Sequence, residues 1–380
     1  MPYSIFVPQL SASFMAVSSI PVMRPRLPTV ERLVTYLERI DSTQIYSNYG
    51  PLVCALEDRL AEHFRLPPKS ITTVANATLG LTLALAAQAP QAGALCAIPA
   101  WTFVATAHAA MMAGLVPYFI DVDAKSGVLD PERASEEIAR APKPIRAVIP
   151  VAPFGQPIDV EAWDRFRSRT GLAVVIDAAA SFDSLLPGST PAVVSLHATK
   201  VIGVGEGGFV ACTDASLIRD IRARANFGFF GTRQALAPAA NAKLSEYHAA
   251  VGLSALDEWA AARAEWIGVA QAYRAALPES NWLRFQNGFG ESWISSTCVL
   301  SMAHSGVARV ERDLAAADIS TRRWWGDGAH AHPATAACPR TQLPNTEALV
   351  HAAIGLPFYR GLGAADIRRI ADVILSTDTI

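Results

Sequence analysis

The chain has 380 residues, of which 51% are hydrophobic and 17% charged, against a usual ~25% charged. That composition excludes a disordered or acidic-tail protein and allows about two domains. Lys and Arg number 32 and Asp and Glu 34, a net charge of -2 that offers no broad basic face, so no nucleic-acid partner is expected.

The N-terminal segment MPYSIFVPQLSASFMAVSSIP carries no Lys or Arg before Arg24 and is broken by Pro8, a poor match to a signal peptide. Residues 1–30 read as an extension and arm. No Asp, Glu, Lys or Arg occurs from Ile71 to Ile120, yet Gly80, Pro90, Gly93, Pro99, Gly114 and Pro117 punctuate the stretch. No piece of it offers the ~20 predominantly apolar residues of a spanning helix, so it reads as a protein interior and no membrane contact is expected. The expected compartment is the cytoplasm. Cys54, Cys96, Cys212, Cys298 and Cys338 lack CxxC pairing, which suits reduced, mostly buried thiols and argues against a zinc site or a disulfide framework.

Through residues 31–250, apolar strand-like runs alternate with Ala- and Leu-rich helical ones. The strands are ITTV (71–74), LCAIP (95–99), VPYFIDVD (116–123), AVIPV (147–151), AVVID (173–177), AVVSL (192–196) and GFVACTD (208–214). Leu79–Gln88 and Thr106–Ala113 fit buried crossover helices. This alternation predicts a large α/β domain with a mainly parallel sheet, which binds ligands at the carboxyl ends of its strands. Residues 251–380 have a different texture, expected to be a smaller α+β domain: helical stretches at Ser245–Ala275, Gly306–Asp318 and Ala364–Leu375, and a strand at Ser295–Met302. The loops Trp324–Pro344 and Leu356–Gly363 are assigned to it.

Three features carry chemistry. Asp177 ends AVVID and is followed by Ala178, Ala179, Ala180 and Ser181; it is either a loop-capping Asp or a carboxylate at the ligand edge, with room beside it for a flat ring. Ser195 and Lys200 lie just beyond the next strand. A lysine in that uncharged neighbourhood favours the neutral amine and Schiff-base chemistry, the alternative being a solvated loop lysine. GVGEGG is followed by a strand rather than a helix and so is no dinucleotide fingerprint. ITTV runs into Asn76, Ala77 and Thr78 and then a long apolar helix, a turn able to cradle a phosphate. Together these are the parts pyridoxal phosphate requires.

The segments IPVMRPRLP, IYSNYGPLVCALEDRLAEHF, PAWTFVATAHA, VIDAAASF, SLHATKVIGVGEGGFV and NAKLSEYHAAVGL resemble successive motifs of the DegT/DnrJ/EryC1/StrS sugar aminotransferases, from about Ile20 to Ile374. The resemblance implies the fold type I (aspartate aminotransferase-like) architecture, pyridoxal 5'-phosphate and a homodimer with shared active sites. It makes Lys200 the Schiff-base lysine and Asp177 the partner of the ring nitrogen. Ala77, Thr78 and Ser195 match phosphate contacts, Ala179 lies beside the ring, and Phe103, or alternatively Trp101, matches the stacked aromatic. Asn241 would reach the neighbouring subunit's cofactor, and Lys243 a substrate pyrophosphate, unless it is only a solvated helix-start lysine. Two departures stand out: Ala180 replaces the His or Gln common near the ring oxygen, and the phosphate turn reads Asn-Ala-Thr.

ISTRRWWGDGAHAHPA and LPNTEALVHAAIGLPFY resemble segments of enzymes that aminate C-4 of dTDP-4-keto-6-deoxyglucose, with Arg322, Arg323 and His330 facing nucleotide-sugar phosphates. His330 and His332 are alternatively a surface pair, and no metal is expected without a third ligand. The implied reaction moves an amino group from L-glutamate, leaving 2-oxoglutarate, to a nucleotide-linked keto sugar. A UDP- or GDP-linked substrate, amination at C-3, or a non-catalytic binding relative are the alternatives.

Overall fold

The computed structural model describes residues 19–303 and 306–378. The N-terminal extension over residues 1–18 lies outside the described residues. The strands are β1 (Ile71–Val74), β2 (Leu95–Pro99), β3 (Val116–Ile120), β4 (Ile145–Val148), β5 (Ala173–Val174), β6 (Ile176–Asp177), β7 (Ala192–Ser195), β8 (Gly208–Ala211), β9 (Leu283–Phe285), β10 (Cys298–Met302) and β11 (Ala353–Leu356).

Two four-stranded sheets, β3-β2-β4-β5 and β1-β8-β7-β6, meet at Val175. There β5 and β6 are halves of one line of chain: Val175 N donates to Val148 O, Ile176 N to Pro191 O and Asp177 N to Pro150 O, at 2.8–3.1 Å. The result is one broad sheet in which every pairing is parallel except those of β8, which runs antiparallel to both β7 and β1. This mostly parallel sheet is the one the alternating pattern predicts.

Successive side chains of each strand enter opposite faces. Leu95 and Ala97 join one buried cluster while Cys96 and Ile98 join another, and Ala192 and Val194 separate from Val193 in the same way. With both faces covered, neither needs charge, which is the physical meaning of the uncharged run through residues 71–120. Helix Ala77–Ala87 is apolar nearly all round because it is buried between the sheet and its neighbours.

A second sheet, β11-β10-β9, is wholly antiparallel and is flanked by helices Val307–Ala316 and Ala364–Asp378. The stretch read as one helix over Ser245–Ala275 is two, Glu246–Asp257 and Trp259–Ala276, broken at Glu258. Residues 20–22 lie along this smaller layer, where Ile20 pairs with Ile319 and Phe358 N donates to Val22 O.

The loop Trp324–Pro344 departs from its expected place. It runs back along the outer edge of the large sheet, where Phe119 N donates to Pro339 O and Thr341 N to Phe119 O. The buried carboxylate of Asp121, just past β3, then accepts from Asn345 N, Thr346 N and Thr346 Oγ1 at 2.8–3.0 Å, capping helix Pro344–Ala352. Unpaired amides at a helix start must find acceptors, and these found one more than 200 residues away in sequence.

Helix Pro51–His63 is capped at similar range. Glu246, buried at the start of helix Glu246–Asp257, accepts from Leu52 N at 2.7 Å and Val53 N at 2.9 Å. Hydrogen bonds to a charged group contribute ~1.5–3 kcal/mol. Glu246→Ala is therefore expected to lower stability by about 2–3 kcal/mol, read as a lower urea midpoint at unchanged slope; an unmoved midpoint would remove this cap from the account.

Candidate active site

The carboxyl ends of β6, β7 and β1 converge on one edge of the sheet. Asp177 closes β6 and is only 7% exposed. Its Oδ2 accepts from Thr106 Oγ1 at 2.7 Å and its Oδ1 from Ala179 N at 3.1 Å, and Thr102 Oγ1 stands 2.8 Å behind Thr106. Burial raises the Asp177 carboxyl above the ordinary carboxylate range, while Thr106, Ala179 and the nearby Lys200 ammonium oppose that rise. Lys200, half-buried, is lowered by burial and held up by Asp177. Each group's charge thus opposes the effect of burial on the other, and burial pushes the lysine toward the free amine that nucleophilic chemistry needs.

Ser195 ends β7, and its Oγ accepts from His197 N at 3.2 Å. Opposite it, β1 leads into the turn Asn76-Ala77-Thr78. Asn76 caps the following helix, its Oδ1 accepting from Leu79 N at 2.9 Å. A side chain at Gly208, which pairs with Ser195, would place its Cβ 3.0 Å from Ala77 N and 2.9 Å from Val194 O. Only glycine lets β8 pass this close to the turn and keep its amides available. A helix start with amides facing outward, a serine hydroxyl, a buried carboxylate and a desolvated amine together fit pyridoxal phosphate.

The aromatic alternatives separate. Trp101 is 4% exposed, its ring edge-on to Phe154 and Trp325, whose rings stack at 3.9 Å. It is committed to packing. Phe103, at the start of helix Val104–Met112, is 58% exposed and free to stack on a ligand. Phe154 holds a left-handed backbone, φ 54°, just beyond the bridge between Val151 and Asp177. Strain of this sort gathers at functional sites.

The more distant residues fall into two groups. Ala75 N donates to Ala242 O, which sets the Asn241–Lys243 segment beside the phosphate turn of its own chain. The Asn241 side chain is exposed, accepts from Lys243 Nζ at 2.7 Å, and the Lys243 ammonium lies 4.3 Å from the Phe227 ring centre. Arg322 is exposed and lies over the Trp324 ring. His330 sits edge-on to Phe119, and its Nδ1 is buried without a hydrogen-bond partner among the described residues.

Arg323 is placed elsewhere than expected. Its Nε and Nη2 grip both oxygens of Glu311 at 2.7 and 2.9 Å and Nη1 donates to Val350 O, so its fork joins two elements of the smaller layer. Three of its five N–H donors, including the bidentate Nε/Nη2 edge, are spent inside the protein.

Among the described residues no group of three metal-ligating side chains converges, and no helix is long and apolar enough to cross a membrane. Thr106 is the site residue that sequence reasoning missed. It was legible only as part of a crossover helix, and nothing in its neighbourhood ties it to a carboxylate 71 positions on.

A broad sheet whose strand ends bring together a buried Asp, a desolvated Lys and a phosphate-type turn defines a fold type I, pyridoxal-phosphate-dependent aminotransferase. The chain belongs to the DegT/DnrJ/EryC1/StrS aminotransferase family, whose signature matches residues 29–375. A Bacillus cereus structure assigned as a PLP-dependent aminotransferase superposes with TM-score 0.87 at 28% identity, covering 94% of this chain and all of that one. The structure of DesI in the presence of its TDP-sugar product gives TM-score 0.83 at 30% identity, covering 94% and 93%. The dTDP-4-amino-4,6-dideoxy-D-glucose transaminase of Shigella dysenteriae is 34% identical over 242 residues, 62% of this chain and 64% of that protein.

Two expectations follow. Thr106→Val, which keeps the shape and removes the hydroxyl, should weaken cofactor retention at least about tenfold in equilibrium dialysis, the lower end of what a hydrogen bond to a charged group contributes. Unchanged retention would leave Thr106 outside the site. Arg323→Lys should lower the melting temperature and leave the KM for the amino acceptor as it was; a raised KM would return Arg323 to the substrate.

Proposed function

We propose that the chain moves an amino group from L-glutamate to C-4 of a nucleotide-linked 4-keto-6-deoxy sugar, dTDP-4-keto-6-deoxyglucose being favoured, and yields a 4-amino-4,6-dideoxy sugar nucleotide. The observation that carries the transamination reading is the Lys200–Asp177 pair at the strand ends beside the phosphate turn. The sugar and the position rest on the likeness to the Shigella transaminase and to DesI, and on the segments around Arg322 and Leu343–Glu347.

When bound, pyridoxal phosphate supplies an electron sink that takes up the charge left as the donor's α-proton departs. The chain's residues do the rest. Amides of the Asn76–Thr78 turn and the Ser195 hydroxyl hold the phosphate. Asp177, kept in place by Thr106 and Ala179, presents a carboxylate to the ring nitrogen. Phe103 covers the ring. Lys200 Nζ, as the free amine, would take the proton from the glutamate α-carbon and pass it to the carbon that links cofactor and nitrogen, and in the second half-reaction would carry a proton the other way, to C-4 of the sugar.

The acceptor's phosphates are assigned to Lys243, Arg322 and His330. Asn241 is assigned to the cofactor phosphate of a second copy of the chain, as its exposed side chain suits. Exposed Tyr46, Phe227, Phe230 and Tyr247 are apolar surface that a homodimer would cover.

The test is the visible spectrum of purified protein loaded with the cofactor, first with L-glutamate and then with dTDP-4-keto-6-deoxyglucose. The band should bleach with glutamate and return with the keto sugar. Bleaching without return would keep the aminotransferase and reject the sugar. Lys200→Ala should lose at least about 10³-fold in turnover, and a wild-type rate would overturn the assignment.

A further inference from the structure

His197 and Glu206 stand in the SLHATK and GEGG segments, yet the reaction above uses neither. His197 Nδ1 lies 2.8 Å from Thr199 Oγ1 and 3.3 Å from the Thr199 amide nitrogen. An amide can only donate, so Nδ1 is the acceptor and the ring proton sits on Nε2. The carboxylate nearest that Nε2 is Glu206, whose Oε1 stands 3.7 Å away. The main chain closes the same turn: His197 N donates to Ser195 Oγ, Lys200 N to His197 O at 2.8 Å, and Ala198 N to Gly205 O at 2.8 Å. The imidazole thus bridges the first and third residues of the turn whose fourth residue is Lys200.

We propose that His197 is a positioning residue for Lys200: its Nδ1 clamps Thr199 and so sets the direction in which the lysine leaves the turn. The geometry matters because Nζ must reach both the cofactor's carbonyl carbon and the substrate carbons. Misplacing a reacting group by about 1 Å costs up to about 10²-fold in rate.

The proposal rests on the aminotransferase reading, and the test separates the two. His197→Asn keeps an acceptor, Oδ1, at the Nδ1 position; His197→Phe keeps the ring and loses the acceptor. Three quantities are followed in each: the rate at which added pyridoxal phosphate becomes fixable to Lys200 by borohydride, read by peptide mass, and the kcat and KM of the loaded enzyme. His197→Phe should slow loading and lower kcat about tenfold or more with both KM values within about twofold, while His197→Asn stays within about threefold of wild type. Thr199→Val, which removes the hydroxyl and leaves the amide, should fall between them and serves if the Phe variant does not fold. Equal loss in the Asn and Phe variants, or no loss in the Phe variant, overturns the clamp. If the wild-type protein loads at Lys200 but aminates no keto sugar, the substrate assignment fails while the loading rates still decide the clamp.

Discussion

Asp177 is a carboxylate buried at the end of a strand, and the arrangement of the site follows from what that burial demands. An ionised carboxylate taken out of water needs donors or an opposite charge. It receives a hydroxyl from Thr106, an amide from Ala179 and the field of Lys200. These partners come from three separate parts of the chain, so keeping the charge requires the helix after β2, the loop after β6 and the turn after β7 to be in register. In the proposed reading, the ring nitrogen of pyridoxal phosphate would be the remaining cation for this carboxylate to face.

The same logic recurs where the chain crosses itself. Asp121 caps helix Pro344–Ala352 and Glu246 caps helix Pro51–His63. Glu57, buried, takes the Thr73 amide and hydroxyl and pairs with Arg222, whose guanidinium lies 3.6 Å from the Tyr49 ring centre. With charged residues sparse, several of those that are buried serve as long-range clasps. They hold β1 and its phosphate turn against the helices behind, and the return loop against the sheet edge.

Sequence reading went furthest where a residue's environment is local. Strand ends are visible as apolar runs stopping at a polar residue, so Asp177 and Ser195 were legible, as was Asn76 before an apolar helix. Lys200 was legible from its uncharged surroundings. Phe103 was preferred to Trp101 on the motif alone, and only the packing of Trp101 against Phe154 and Trp325 gives a physical reason to set the two apart. Arg323 read as a phosphate ligand beside Arg322, since nothing in its neighbourhood reveals Glu311. The loop Trp324–Pro344 read as part of the smaller layer for the same reason: its partners, Phe119 and Ala100, lie far back in the chain.

The sequence by itself determined the layered α/β order and the family, and it singled out Lys200 and Asp177 as the pair the proposed reaction uses, because hydrophobic period, strand-end position and motif are properties of neighbouring residues. The tertiary structure alone decided that Thr106 holds Asp177, that Arg323 belongs to packing, that Phe103 and not Trp101 is open, and that His197 braces the lysine turn. Those are statements about which donor meets which acceptor; the pairing across 71 residues is set by how the large sheet closes, and the one across 12 by how the smaller layer packs.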